Sequence, residues 1–260
     1  MTDPTFETLR LDWPSDAIVR LVLDRQDSGN ALGTQLIEDL RAAAAMLRFR
    51  SQVKVAILTA EGKFFCAGAD LKETDKPPHW LWSLRDLMDE IEGLPFPVIA
   101  AINGICRGGG TELALAADLR LIATSTAMGL PEIRFGALPA AGGFNRLVPL
   151  VGPARAKQMI MTAEPVPATE AVRIGLAEEA VADADLQTRA LALAEQIAGH
   201  AGYATRAAKL IIDRSMQLSV SDGLAWEYQV VDTMATPEER TEEVQKAMAA
   251  SATYAKLFKR

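Results

Sequence analysis

Residues 18–23 (IVRLVL) and 53–60 (VKVAILTA) are β-branched runs with turn signals nearby, and between them residues 33–47 carry apolar side chains at helical spacing. The order is strand, helix, strand. It recurs downstream: residues 81–91 read as a helix, 98–102 as a short buried strand after Pro95 and Pro97, 112–117 as a helix and 119–122 as a strand. Strands that are apolar along their whole length need cover on both faces, so the pattern predicts an α/β chain. After Gly152 the periodicity turns helical, over 153–162, 168–174, 185–197, 203–216 and 220–234, with Pro237 opening a further helix at its first turn. The composition shifts near residues 198–202, which divides the chain into a core over 1–198 and a helical region over 199–260. In that region apolar residues such as Ala208, Leu210, Ile211 and Met216 stand at helical spacing, so the region must bury one face. Such a face is covered either by the chain's own body or by a neighbouring subunit.

Composition narrows the chemistry. A chain of 260 residues that is 49% hydrophobic can bury roughly 70–75% of the surface its unfolded state exposes, so it needs neither disulfides nor structural metal. Two cysteines, Cys66 and Cys106, make no disulfide framework and read as reduced packing. Two histidines, His79 and His200, leave little material for a Ser-His-Asp triad or a His-rich metal site. With 27 basic against 34 acidic residues and no long Lys/Arg cluster, the chain is a poor partner for nucleic acid. It shows neither a basic leader ahead of its first apolar run nor an uninterrupted apolar stretch of about 18 residues, so it is expected to be soluble and cytoplasmic, without membrane association.

Glycine and acid placement carries the chemical signal. Residues 64–70 (FFCAGAD) run from a strand end into a small-residue turn, and residues 101–112 (AINGICRGGGTE) place three glycines between a strand and a helix. Such turns let a ligand approach the backbone closely, and a helix start leaves N–H groups unpaired where negative charge is favoured. Neither the dinucleotide fingerprint nor the P-loop spacing is present. Tight helix–strand packing accounts for one such turn; two turns, at Gly68 and at residues 108–110, could supply the two donors of an oxyanion hole. Glu112 follows Gly109 by about one helical turn, and Glu132 stands between Pro131 and Ile133. In such apolar surroundings a carboxyl pKa rises by desolvation, which suits proton transfer near neutral pH, and two carboxyls can divide the acid and base roles.

The segments 65–73 (FCAGADLKE), 101–116 (AINGICRGGGTELALA) and 129–147 (GLPEIRFGALPAAGGFNRL), with Asn30-Ala31-Leu32 and residues 170–181, resemble the enoyl-CoA hydratase/isomerase family, the crotonase fold. The resemblance implies a spiral of β-β-α units with a helical C-terminal region, a homotrimer or a hexamer of paired trimers, acyl-CoA thioester substrates, and no cofactor beyond the coenzyme A that the substrate carries. It makes the amides of Ala69 and Gly109 the oxyanion donors, Glu112 the group that activates water and Glu132 the proton donor to the α-carbon. The reaction implied is hydration of a 2-enoyl-CoA; a double-bond isomerase or another acyl-CoA lyase of the family is the alternative. Arg25, Ser28, Ala67 and Lys72 are the implied contacts to CoA, and Lys256, Lys259 and Arg260 are implied to serve a neighbour's CoA. The chain departs from the family's usual pattern at Gln26, where proline is common, and at Asp27, where a basic residue is common. Trp80 and Trp82 lie in the stretch that borders the acyl pocket in relatives; they either shape a pocket for a cyclic, branched or aromatic acyl group or pack on the core.

Overall fold

A computed structural model describes residues 4–250 of the chain, so Lys256, Lys259 and Arg260 lie outside the described residues. Two sheets organise the first part. Strands β1 (Leu9–Ser15), β2 (Ile18–Leu23), β3 (Val55–Ala60), β5 (Val98–Ile102), β7 (Leu119–Ala123) and β10 (Glu179–Val181) form a six-stranded sheet in that order. Only β1 runs antiparallel within it. Strands β4 (Phe64–Cys66), β6 (Ile105–Arg107), β8 (Ala127–Gly129) and β9 (Val166–Pro167) form a four-stranded sheet.

The connectivity is a repeat. β3, β4 and helix α2 (Trp80–Glu92) make one unit; β5, β6 and helix α3 (Gly109–Leu115) make the next; β7, β8 and helix α4 (Gly143–Thr162) make a third. Each unit adds one strand to each sheet, so the chain winds as a β-β-α spiral. Every residue of β3 and β5 is buried, which is why neither strand shows polar alternation. Helix α1 (Thr34–Arg48) buries Leu36, Ile37, Leu40, Ala43, Ala44 and Leu47, the face that its spacing predicts.

The elements that the pattern misses share a cause. β1 carries Pro14 and a half-exposed face, as an edge strand can, so it lacks an apolar run. β6 and β10 are three residues long, too short for any period to register, whereas the equally short β4 and β8 fall on the strand end at residue 64 and the strand-like piece 127–129 that the sequence shows. The helix expected from residue 112 begins at Gly109, because two of the three glycines lie inside it. The helix expected over 153–162 is the second half of α4, whose first half precedes a kink at Gly152 (φ 76°) followed by Pro153. Cys66 and Cys106 are direct partners across β4 and β6, both buried and free. Burial pushes each thiol up to about 12.

After α5 (Ala168–Arg173) and the edge strand β10 the chain is helical: α6 (Leu186–Ala198), α7 (Gly202–Ser215), α8 (Val220–Thr233) and α9 (Pro237–Ala250). Two compact units divide between Ile197 and Ala198. In the second unit Leu210, Met216 and Tyr228 are at least half exposed. Among the described residues no helix is long and apolar enough to cross a membrane.

Candidate active site

Two backbone donors are prepared by the turns after β4 and β6. Leu32 N–H donates to the Gly68 carbonyl at 2.8 Å, and Asp70 N–H donates to the Leu32 carbonyl at 3.3 Å. In this parallel bridge between Leu32 and Ala69, the Ala69 N–H points away from Leu32. Gly109 opens α3, where no earlier helical turn offers an acceptor. Gly108 N–H is already spent on the Gly129 carbonyl at 2.9 Å. Among the described residues, neither the Ala69 nor the Gly109 N–H has a protein acceptor. The turns touch: a Cβ added at Gly68 would stand 3.3 Å from the Gly109 nitrogen and 2.9 Å from the Arg107 carbonyl. With φ at +99° as well, position 68 admits only glycine. Thr111, fully buried, pins α3 by donating its hydroxyl to the Gly129 carbonyl at 2.8 Å and accepting from Gly129 N–H at 3.2 Å.

The two glutamates differ in surroundings. Glu112 is 3% exposed, and its Oε1 accepts from Ala141 N–H at 2.7 Å and Gly143 N–H at 3.0 Å. Burial raises its pKa, against the pull of those amides and of the Arg146 and Arg85 charges. Glu132 lies in a 3-10 turn over Glu132–Phe135; its Oε1 would stand 3.2 Å from a Cβ at Gly108, so its carboxyl covers the turn into α3. Both of its carboxyl oxygens are buried without a hydrogen-bond partner. Desolvation lifts its pKa to about 7, its own backbone N–H opposes, and the Glu112 charge pushes further upward. Glu112 therefore ionises first, leaving one carboxylate beside one carboxylic acid.

Three of the four implied CoA contacts, Arg25, Ser28 and Lys72, line an open cleft of about 420 Å³ together with Asp27, Asp70 and Glu73; Ala67 is not part of its lining. Ser28 donates its hydroxyl to the Arg25 carbonyl at 3.1 Å, and Ala67 N–H donates to the Gly29 carbonyl at 3.0 Å, joining the two rims. Buried Asn30 fastens this loop, donating to the Glu61 and Phe64 carbonyls and accepting from Arg25 N–H. Arg25 is engaged within the protein: its Nη1 donates to Asp70 at 2.6 Å and to the Ala31 carbonyl at 3.1 Å. Burial alone would raise the Asp70 pKa, but Arg25 and the Lys72 amide outweigh it and hold the group below its ordinary value. The cleft therefore presents Asp27 and Lys72 beside a cation that is already paired. The tryptophans separate: Trp80 packs on the core, whereas Trp82 is 65% exposed with the Arg85 guanidinium 5.0 Å from its ring.

Asp70, Thr111 and the amides of Ala141 and Gly143 lie outside the sequence expectation. For Asp70 a signal exists, an acid directly after the small-residue turn; the amides carry no side-chain signature.

A spiral of β-β-α units on two sheets, followed by helices, is the crotonase fold. The profile of the enoyl-CoA hydratase/isomerase family matches residues 14–252, and the chain belongs to that family. Enoyl-CoA hydratase domain-containing protein 2 of mouse mitochondria is 40% identical over 234 residues, 86% of this chain and 79% of the relative. The mouse mitochondrial methylglutaconyl-CoA hydratase is 35% identical over 236 residues, 87% and 75% of the two chains. The crystal structure of an enoyl-CoA hydratase from Bacillus anthracis superposes with a TM-score of 0.90 at 37% identity, covering 94% of this chain and 97% of the other.

Proposed function

We propose that the chain adds water reversibly across the 2,3-double bond of a 2-enoyl-CoA thioester. The observation that carries this reading is the asymmetry of the glutamates. Glu112 has two amide donors and two nearby arginines and ionises first; Glu132 has none of these and keeps its proton to about pH 7. Hydration needs both states at once. The thioester oxygen accepts from the Ala69 and Gly109 N–H groups, which stabilise the enolate formed as water attacks C3. Glu112 takes the proton of that water, and Glu132 gives its proton to C2. The C2–C3 π bond is replaced by C–O and C–H bonds, and proton exchange with solvent resets the two acids. Lys72 and Ser28, from the lining of the cleft, meet the CoA moiety in this reading, with Arg25 shaping the rim through Asp70. No group beyond the substrate's own coenzyme A is used.

A panel of 2-enoyl- and 3-enoyl-CoA thioesters, followed by the conjugated enoyl absorbance, tests the reading. Loss of absorbance with 2-enoyl substrates is expected. Gain with 3-enoyl substrates alone would instead assign a double-bond isomerase, in which Glu132 shuttles one proton. Glu112→Gln is expected to lower hydration by about 10²–10⁴-fold while α-proton exchange through Glu132 persists. Unimpaired hydration by that variant removes Glu112 from the mechanism.

A further inference from the structure

One charged side chain that the proposed reaction does not use is nearly buried and wired to its base. Arg146, in the first turn of α4, is 12% exposed at its side chain. Its Nη2 bonds Asp89 at 2.7 Å and Glu92 at 2.7 Å, both on α2, and its Nε bonds Glu92 at 3.2 Å. Its Nη1 faces the other way and donates to the Ala141 carbonyl at 3.1 Å. Arg85, also on α2, donates its Nε to the Ala140 carbonyl at 2.8 Å. The loop over residues 140–143 is thus held through its carbonyls by two guanidinium groups while its Ala141 and Gly143 N–H groups grip Glu112.

Gly142 makes this clamp possible. It has φ +95°, and a Cβ there would fall 1.9 Å from Arg146 Nη1. An ion pair that merely joined α2 to α4 would need neither the Ala141 contact nor a loop folded onto the guanidinium, and exposed pairs of that kind contribute about 1 kcal/mol or less.

We propose that Arg146 is a positioning residue: it holds the 140–143 loop so that the Ala141 and Gly143 amides keep the Glu112 carboxylate in place to take a proton from water. The groups facing Glu112 are Arg85 from α2, Arg146 from α4, the two loop amides and Glu132 from its 3-10 turn; Asp89 and Glu92 stand behind Arg146 and partly offset its charge. Removing Arg146 takes away a positive neighbour and frees the loop. Both effects favour the protonated form of Glu112, so its ionisation moves to higher pH.

This inference rests on the hydratase reading only for the reaction it serves, and its test includes a readout that needs no substrate. Arg146→Met and Arg146→Lys are compared with the unaltered protein in pH profiles of kcat and KM for hydration, and in a carbon-13 NMR titration of the Glu112 carboxyl. For Arg146→Met, kcat at neutral pH is expected to fall about tenfold or more, because small displacements of a catalytic group are costly. KM should stay within about twofold, and the low-pH limb of kcat/KM and the Glu112 titration should both move to higher pH. Arg146→Lys keeps the charge and one donor and should recover part of kcat and of the titration; it also carries the test should the methionine variant fold poorly. An unmoved Glu112 titration with unchanged kcat, whatever the melting temperature does, overturns the proposal. A moved titration in a protein inactive on every thioester upholds the clamp and discards the hydratase reading instead.

Discussion

Glu132 gathers the chemical consequences of the site into one side chain. Both its oxygens are buried without partners, and desolvation lifts its pKa to about 7, above the usual carboxylate value of 4.5. The native state therefore favours the protonated form. Glu132 does not weaken the fold below about pH 4.5, and its contribution is lost as pH rises through 7. Glu132→Gln mimics the protonated group without the titration. Allowing for partial exposure, that variant is expected to be more stable than the parent by on the order of 1–2 kcal/mol at pH 8.5 and about equal at pH 4. Thermal melts at both pH values check this; at about 2–4 °C per kcal/mol the difference at pH 8.5 is readable. Equal melting temperatures at both pH values would show that water reaches the carboxylate freely. The local sequence, Glu between proline and isoleucine, announces an acid in apolar company. The expected push from a second carboxylate is met by the Glu112 charge, which the fold brings close to it.

At the scale of elements, the site depends on how α3 is seated. Seven residues make a helix too short to hold its own direction, and all seven are buried. The Thr111 hydroxyl ties its first turn to both polar groups of Gly129 on β8. Thr111→Val keeps the shape and removes the tie, leaving the Gly129 N–H without a buried partner. A destabilisation of about 1–3 kcal/mol is expected in denaturant unfolding. The Gly109 donor moves with the helix, so kcat for hydration should fall more than KM rises. A stability loss with kcat intact would mean that β6 and β8 seat the helix without the threonine. The long helices and the fully apolar strands β3 and β5 were legible because their period or length outlasts local noise. In the second sheet β6 was not, although the turn after it carries one of the two proposed oxyanion donors.

For the whole molecule, the described chain leaves Leu210, Ile212, Met216 and Tyr228 of its second unit exposed. We propose that they are covered in a trimer or hexamer, the assembly that the family resemblance implies. Sedimentation equilibrium should return three or six times the 28.0 kDa chain mass; a single-chain mass at micromolar concentration would overturn that assembly. The sequence by itself determined the order of elements, the need for cover on both faces of the main sheet, the glycine turns and the identity of the two acids. Each is written in residues a few positions apart, where period, turn preference and side-chain type act. Only the tertiary structure decided what state those acids adopt. Glu112 is held by amides 29 and 31 residues away, Arg25 is paired with an aspartate 45 residues away, and Cys66 meets Cys106 across two strands. Desolvation and hydrogen bonding depend on which atoms surround a group in space, and those atoms come from segments whose proximity no local pattern encodes.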